Sequence, residues 1–568
     1  MNRNHSYSQK SDIPTHWYNI MADYPEFYVP HLDSTTHQPV NVHSLSNIFP
    51  ELLAEQEINR KDVNIPIPPE LLDYYAMWRP SPLIRARNLE KYLDTNCKIF
   101  YKYEGVSPIG SHKANSAIAQ AYFSKKCGFT NVVAETGAGQ WGSAMSMASS
   151  FFDLNCNVFM VKNSFDSKPQ RRILMQTYGS KVHSSPSNLT EFGRQIRKND
   201  PDSQGSLGIA IAEAVEYASS DRNTVYTLGS SMNFVCLHQT IIGNELKNQL
   251  NSLQITPNYI ISCIGGGSSF AGICFPFLRE KLERNRDLHF IAVESNAVPT
   301  VTKGIYTYDY GDTARLTPLS KMYTLGHEFS APVIHSGGLR YHGLSPLVSK
   351  FIADGHAEAR AYSQLDIYGA ARLFAKLEGY VPAPESAHSV KAAIDVALEN
   401  RNSGKTIVFC LTGHGFFDLA GYEKFNAGKM EDSESPDTNI HESLRKLAHT
   451  VRPETEKGAA LPPQPPLNAG VQANNPFEAW WNRNFESQSP ADSFQSGHTI
   501  DSAGASPKTA GGIEQDKGNP NLYNLLTESK VRELIDKGQK VAFVSKGCVI
   551  TPLAGELIKS HGIEIKYA

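Results

Sequence analysis

Ile261-Ser262-Cys263-Ile264-Gly265-Gly266-Gly267-Ser268-Ser269 runs from an apolar stretch straight into three glycines and two serines, and the apolar segment Phe270–Leu278 follows. This order predicts a buried strand, a glycine turn and a helix start. In such a turn successive backbone N–H groups and the positive end of the helix face one point, and side chains larger than glycine would block an anion's approach. A dinucleotide fingerprint would need glycine where Phe270 stands, and a nucleoside-triphosphate loop would need Gly-Lys-Ser/Thr; neither is present. The anion expected here is the phosphate of a compact cofactor.

Outward from this stretch, short β-branched runs recur at Lys98–Lys102, Asn131–Ala134, Asn157–Val161, His289–Val293 and Thr406–Leu411. Longer alanine-rich segments of helical period, such as Lys113–Lys125 and Ser143–Phe151, lie between them. The alternation is the signature of βαβ units, so the expected fold class is α/β: parallel sheets flanked by helices, one on each side of a cofactor cleft.

A second loop carries the complementary chemistry. Glu104-Gly105-Val106-Ser107-Pro108-Ile109-Gly110 leads into Ser111-His112-Lys113-Ala114-Asn115, which puts Lys113 at a loop-to-helix junction. A partly desolvated lysine amine can lose its proton and hold a carbonyl cofactor as a Schiff base. Lysine and phosphate loop together point to pyridoxal phosphate. Ala134-Glu135-Thr136-Gly137-Ala138-Gly139-Gln140-Trp141-Gly142 also follows an apolar strand; its amides and the Thr136 hydroxyl suit a substrate carboxylate, and Glu135 is placed to move protons. Thr412 ends the strand Thr406–Leu411 with a neutral hydroxyl. Facing a pyridine nitrogen, it would leave the ring a milder electron sink, which favours expulsion of a β-substituent over transamination.

The chain has 568 residues, 40% of them hydrophobic and 20% charged, enough for two or more packed cores. Fifty-four Lys and Arg against 57 Asp and Glu give a net charge of -3, which draws the protein to neither nucleic acid nor anionic lipid. Eight scattered cysteines form no C-x-x-C pair, so a zinc ribbon or disulfide framework is not expected and a reducing cytoplasm fits. No signal peptide or membrane span is expected.

Residues 1–12 read as a disordered leader and 13–453 as the catalytic core of two subdomains. Residues 454–520, rich in Pro, Gly, Ser, Asn and Gln, read as a flexible linker interrupted by the aromatic island Pro476–Phe485 with Trp480-Trp481. Residues 521–568 read as a small β-α-β module: a leading helix from Thr527 to Asp536, a strand Lys540–Ser545, a helix to Ser560 and a terminal strand Ile563–Lys566. The island reads as a short docking element, for a protein partner or as a clasp onto the enzyme's own surface, and the module as one that docks on itself, on the enzyme or on a partner.

Trp78–Leu83, Glu104–Lys113, Glu135–Gly142, Gly265–Ser269, His335–Gly343, Pro384–His388 and Leu411–Asp418 match, in order and spacing, the second, divergent branch of the tryptophan synthase β-chain family, pyridoxal-phosphate enzymes of fold type II. The resemblance covers about His16 to Thr450. It implies that Lys113 is the Schiff-base lysine and proton carrier at Cα, with His112 beside the phosphate. Gly265, Gly266, Gly267, Ser268 and Ser269 would hold the phosphate, Thr412 the pyridine nitrogen, and Thr136, Gly137, Ala138, Gly139, Gln140 and Trp141 the substrate carboxylate. Glu135 would be the catalytic carboxylate near indole, and Glu385 would line the cofactor ring. The implied reaction is loss of the serine β-hydroxyl followed by attack of indole, giving L-tryptophan. A homodimer and a monovalent cation near the site are implied as well, with small-molecule substrates; a serine deaminase or a synthase of another β-substituted alanine shares the same early chemistry, and a cofactor-binding core used as a scaffold is the non-enzymatic alternative, against which intact Lys113, Glu135 and the glycine loop count.

Three positions depart from the better-known branch. Trp141 replaces a histidine, Ser269 an asparagine, and Arg340 an aspartate that contacts the amino-acid substrate. A guanidinium offers a planar fork to phosphate, so O-phosphoserine is expected to compete with serine as donor.

Overall fold

The computed structural model describes residues 12–284, 287–450, 522–526, 531, 534–535, 537, 539–550 and 552–567. The expected leader, the linker and its Trp480-Trp481 island lie almost wholly outside these residues. By contacts the chain divides into Met1–Phe494 and Gln495–Ala568.

Near the N-terminus β1 (His16–Tyr18) and β2 (Asn64–Pro66) pair antiparallel. The first unit is then built on two sheets. The larger has the order β13-β10-β9-β14-β4-β3. Its strands are β3 (Leu83–Arg85), β4 (Lys98–Tyr103), β9 (Tyr259–Cys263), β10 (His289–Ser295), β13 (Ala357–Tyr362) and β14 (Thr406–Leu411). All pair parallel except the edge strand β3, which runs antiparallel to β4. The smaller sheet, β7-β6-β5-β8, is wholly parallel and comprises β5 (Asn131–Thr136), β6 (Asn155–Val161), β7 (Lys181–Ser185) and β8 (Thr224–Thr227).

The large sheet is covered on both faces, which explains its unbroken apolar strands. Along β9 and β14, Ile260, Val408 and Cys410 join one core, while Ile261, Ile407, Phe409 and Leu411 join another under the helices Gln364–Glu378 and Pro384–Glu399. A hairpin, β11 (Ile305–Tyr310) and β12 (Leu319–Thr324), carries a further cluster of Leu32, Tyr310, Leu319 and Leu447. The helices expected from periodicity form at Ala114–Lys126 and Gln140–Phe151.

In open parallel sheets ligands gather beyond the carboxyl ends of the strands. Here β4, β9 and β14 of one sheet and β5 and β8 of the other end at Tyr103, Cys263, Leu411, Thr136 and Thr227, and the lysine loop, the glycine loop, the Thr412 turn and the Thr136–Trp141 loop each lie at one of these ends.

The second unit is a three-stranded parallel sheet, β15 (Leu522–Leu526), β16 (Val541–Ile550) and β17 (Glu564–Tyr567), with the helix Pro552–His561 between the last two. Val531, Leu534, Ala542, Val544, Ile558 and Ile563 form its core. Two features differ from expectation. The strand Leu522–Leu526 adjoins the polar, proline-containing run and lacks a signal of its own. β16 continues through Lys546-Gly547 because Cys548-Val549-Ile550 resumes the strand, with a register irregularity opposite Tyr523–Leu525.

Candidate active site

Lys113 occupies the N-cap place of the helix Ala114–Lys126 with helical backbone angles (φ -61, ψ -23) and caps no N–H with its side chain. A cation there is opposed by the positive helix end, where an acceptor side chain is the usual occupant. The preceding loop is held by the Ser107 hydroxyl, which donates to Ser111 C=O at 2.8 Å, and by the His112 N–H, which donates to Thr412 C=O at 2.9 Å. The Lys113 Nζ donates to Gly229 C=O at 2.8 Å. Burial pulls its amine down to about 8 against the raising charges of Glu135, Glu385 and Cys263. His112, buried and beside Lys113, is driven down to about 3 and stays neutral.

Glu135 stands on β5, 3% exposed, with its Oε2 buried and without a hydrogen-bond partner. Burial raises its carboxyl to about 7, moderated by Tyr226 and by Lys113. Amine and carboxyl are thus both moved towards neutrality, the pattern of an acid–base pair.

The loop after Glu135 folds on itself through the Gly139 N–H, which donates to Thr136 Oγ1 at 3.1 Å. Gly139 adopts φ +93, and a Cβ there would stand 2.6 Å from Arg171 Cβ. Glu385 ties this loop to a second one: its Oε2 accepts from Gln140 Nε2 at 2.9 Å and its Oε1 from the Gly338 N–H at 2.8 Å. The Trp141 side chain turns into the core, its Nε1 directed at Thr227 C=O at 3.4 Å. Gly229 lies so close to that ring that a Cβ would approach it to 2.5 Å.

The glycine loop follows β9 as expected. A Cβ on Gly265 would stand 2.5 Å from Gly338 C=O, and one on Gly266 would stand 2.4 Å from Ser230 Oγ. Gly267 opens the helix Ser268–Cys274 at φ +93. The Ser269 hydroxyl donates to Cys263 C=O at 3.0 Å and accepts from Ser262 at 3.1 Å, so its side chain closes the loop and leaves its N–H for a ligand. Thr412 Oγ1 lies 2.7 Å from Ser386 Oγ and 3.9 Å from Cys263 Sγ, a wholly neutral set.

Arg340 itself lines a pocket together with Gly137, Gly337, His327 and His342. Its Nη2 donates to Ala331 C=O at 3.0 Å, while its Nε is buried without a partner. Among the described residues no carboxylate pairs with it, and burial lowers its proton affinity.

Sequence reasoning overlooked the end of β8. Leu228-Gly229-Ser230-Ser231 receives the lysine amine and abuts the glycine loop, and its signal was a short strand running into Gly-Ser-Ser. It also overlooked Ser386, Cys263 and Tyr226, which lie beside the chosen residues. A lysine biased towards its neutral form, a loop that tolerates only glycine, a neutral hydroxyl cluster and an unpartnered buried carboxylate oxygen fit pyridoxal phosphate and an amino-acid substrate.

Comparison with known proteins agrees. A family profile described as pyridoxal-phosphate dependent enzyme matches residues 76–413. The chain is 53% identical over 424 residues to tryptophan synthase beta chain 2 of Methanosarcina mazei, covering 74% of this chain and 96% of the relative. It is 53% identical over 428 residues to the protein of that name from Aquifex aeolicus, covering 74% and 98%. The Thermotoga maritima protein of that name matches at 53% over 413 residues, covering 72% and 97%. The chain belongs to the tryptophan synthase β-chain family. It is a pyridoxal-phosphate-dependent enzyme, and its matched region holds every residue singled out above.

Proposed function

We propose that Lys113 carries the cofactor and works as acid and base at the substrate α-carbon of a lyase that joins indole to a three-carbon amino acid. The reaction is the β-replacement that forms tryptophan. The observation that carries the residue assignment is the convergence of Lys113, Glu135 and Glu385 where five parallel strands end, with the amine lowered to about 8 and Glu135 raised to about 7. Bound through Lys113, pyridoxal phosphate supplies the electron sink that stabilises negative charge at the α-carbon.

The chain's own residues do the rest. The N–H groups from Gly265 to Ser269 hold the phosphate, with neutral His112 beside it. Thr412, in neutral company, takes the pyridine nitrogen without adding charge. The amides of Thr136–Trp141 bind the substrate carboxylate; the Trp141 ring, turned into the core, contributes shape to the strand end rather than a contact. Lys113 takes the α-proton and returns it. Glu135 Oε2 accepts from the indole N–H as the new bond forms. Glu385 lines the ring and, by holding Gln140 and Gly338, keeps the carboxylate loop and the Arg340 loop in register.

Arg340 sets the donor. A half-buried guanidinium with a buried, unpartnered Nε and no carboxylate partner among the described residues suits a β-phosphate better than a β-hydroxyl. O-Phosphoserine therefore competes with serine, and Arg340→Ala shifts the preference towards serine by roughly tenfold or more. An unchanged donor ratio would sink this assignment. We further propose that the enzyme works as a cytoplasmic homodimer with a monovalent cation near the site, as the resemblance of its motifs implies. The core spans 13–453, the linker 454–520 and the module 521–568.

Purified chain, pyridoxal phosphate and indole, mixed with either L-serine or O-phospho-L-serine, test the whole reading. Tryptophan from at least one donor is expected; pyruvate alone, or no product, overturns it.

A further inference from the structure

Directly behind Lys113 lies a buried polar network that the chemistry above does not use. Arg79, Lys102, Glu104 and Glu245 are each at most 1% exposed, two cations against two carboxylates. Arg79 donates to Glu104 Oε2 at 2.6 Å and to Glu245 Oε2 at 3.0 Å. Lys102 donates to Glu245 Oε1, to Ser81 C=O at 2.6 Å and to Gln249 Oε1 at 2.8 Å.

The network reaches the lysine loop through Asn115, two residues past Lys113 and fully buried. Its Oδ1 accepts from Trp78 Nε1 and from Arg79 Nε, both at 3.2 Å. Its Nδ2 donates to Glu104 Oε2 at 3.2 Å and to Gln239 Oε1 at 3.0 Å. Both donors and both acceptor sites of the carboxamide are filled, which fixes its orientation. Gln239 and Tyr75 hold the backbone: Gln239 Nε2 donates to His112 C=O at 3.2 Å, and the Tyr75 hydroxyl donates to Asn115 C=O at 2.7 Å.

We propose that Asn115 is a positioning residue for Lys113, clamping the His112–Asn115 turn to the buried Arg79–Glu104–Glu245–Lys102 network so that the lysine amine meets cofactor and substrate in one geometry. Being charge-balanced, the network fixes position without adding a net charge to the groups that face the amine, namely Glu135, Glu385, Cys263 and His112. A proton transfer at the α-carbon tolerates little displacement, since a misplacement of about 1 Å costs on the order of 10²-fold in rate.

The inference rests on Lys113 as the cofactor lysine, and its test separates the two. Wild-type holoenzyme must first show a cofactor band bound covalently to Lys113; absence of that band refutes the lysine assignment itself. In Asn115→Ala the expected results are a fall in kcat of roughly tenfold or more and a KM for the amino acid within about threefold. The cofactor is achiral, so its visible circular dichroism reports how firmly the site holds it; this signal should drop to about half or less while the far-ultraviolet spectrum is retained. Asn115→Asp restores the clamp only when its acid is protonated and can donate to Glu104, so its kcat relative to wild type should rise as pH falls. Gln249→Ala, which touches Lys102 but not Asn115, should lower the melting temperature and leave the visible signal alone. Wild-type kcat and visible signal in both Asn115 variants overturn the proposal, as do equal losses in Gln249→Ala or failure of both Asn115 variants to fold.

Discussion

Glu135 and Lys113 share one low-dielectric pocket, and burial pushes each towards the uncharged form. Glu135 titrates at about 7, so it is a carboxylate above that pH and a neutral acid below it. A step in which its oxygen accepts from indole therefore weakens as pH falls through about 7. The acidic limb of the rate of indole addition is expected to follow that group. Glu135→Gln keeps shape but not basicity, so the limb should vanish and the addition rate fall by about 10²- to 10⁴-fold, with the serine half-reaction much less affected. A limb that persists in Glu135→Gln would assign the titration to another group. At this scale the sequence was informative wherever a residue type is rare in its setting, such as a lysine at a helix start or three glycines after a strand. It gave Asn115 no role, because asparagine near a helix start is ordinary and its partner Gln239 lies 124 residues away.

Five strand ends build the site, and four of them were legible as apolar runs leading into glycine, serine or threonine. The fifth, β8, is only Thr224–Thr227, too short and too polar to declare itself, yet its end carries Gly229. That glycine is sandwiched between the Lys113 amine on its carbonyl and the Trp141 ring at its Cα, so β8 and the helix Gln140–Phe151 are fitted to each other there. A methyl group in that gap overpacks a buried contact, and Gly229→Ala is expected to cost about 1–3 kcal/mol by thermal or urea unfolding. Trp141→His makes room. The double variant should then lose less than the two single losses summed, because residues in contact couple. Strict additivity would place the strain elsewhere on β8.

At the scale of the whole molecule, the matched relatives are covered at 96–98% of their length by about three quarters of this chain, which leaves the C-terminal residues outside the shared enzyme. The sequence marked this division by composition, since a Pro-, Gly- and Ser-rich stretch has too little apolar surface for a core. It placed the end of the enzyme at residue 453, without showing what packs there. The helix Asp437–Thr450 answers that: Ile440 packs with Ala297, Val298, Leu325, Phe329 and Ile334, and Leu447 packs with Leu32, Tyr310 and Leu319. These contacts tie the hairpin β11–β12 and the Arg340 loop to the body of the enzyme from outside. A chain ending at Thr450 is therefore expected to keep cofactor binding, kcat and melting temperature of the full chain. A chain ending at Met430 loses both anchors, each worth about 1.5–3 kcal/mol when fully buried, and should unfold at lower temperature. Because Ile440 sits beside Phe329 and Ile334 in the segment leading to Arg340, the shorter chain should also lose discrimination between serine and O-phosphoserine before it loses the cofactor. Equal stability and donor preference in the two truncated chains would show that this helix is dispensable, and would move the boundary of the enzyme back to the end of the helix Leu419–Asn426.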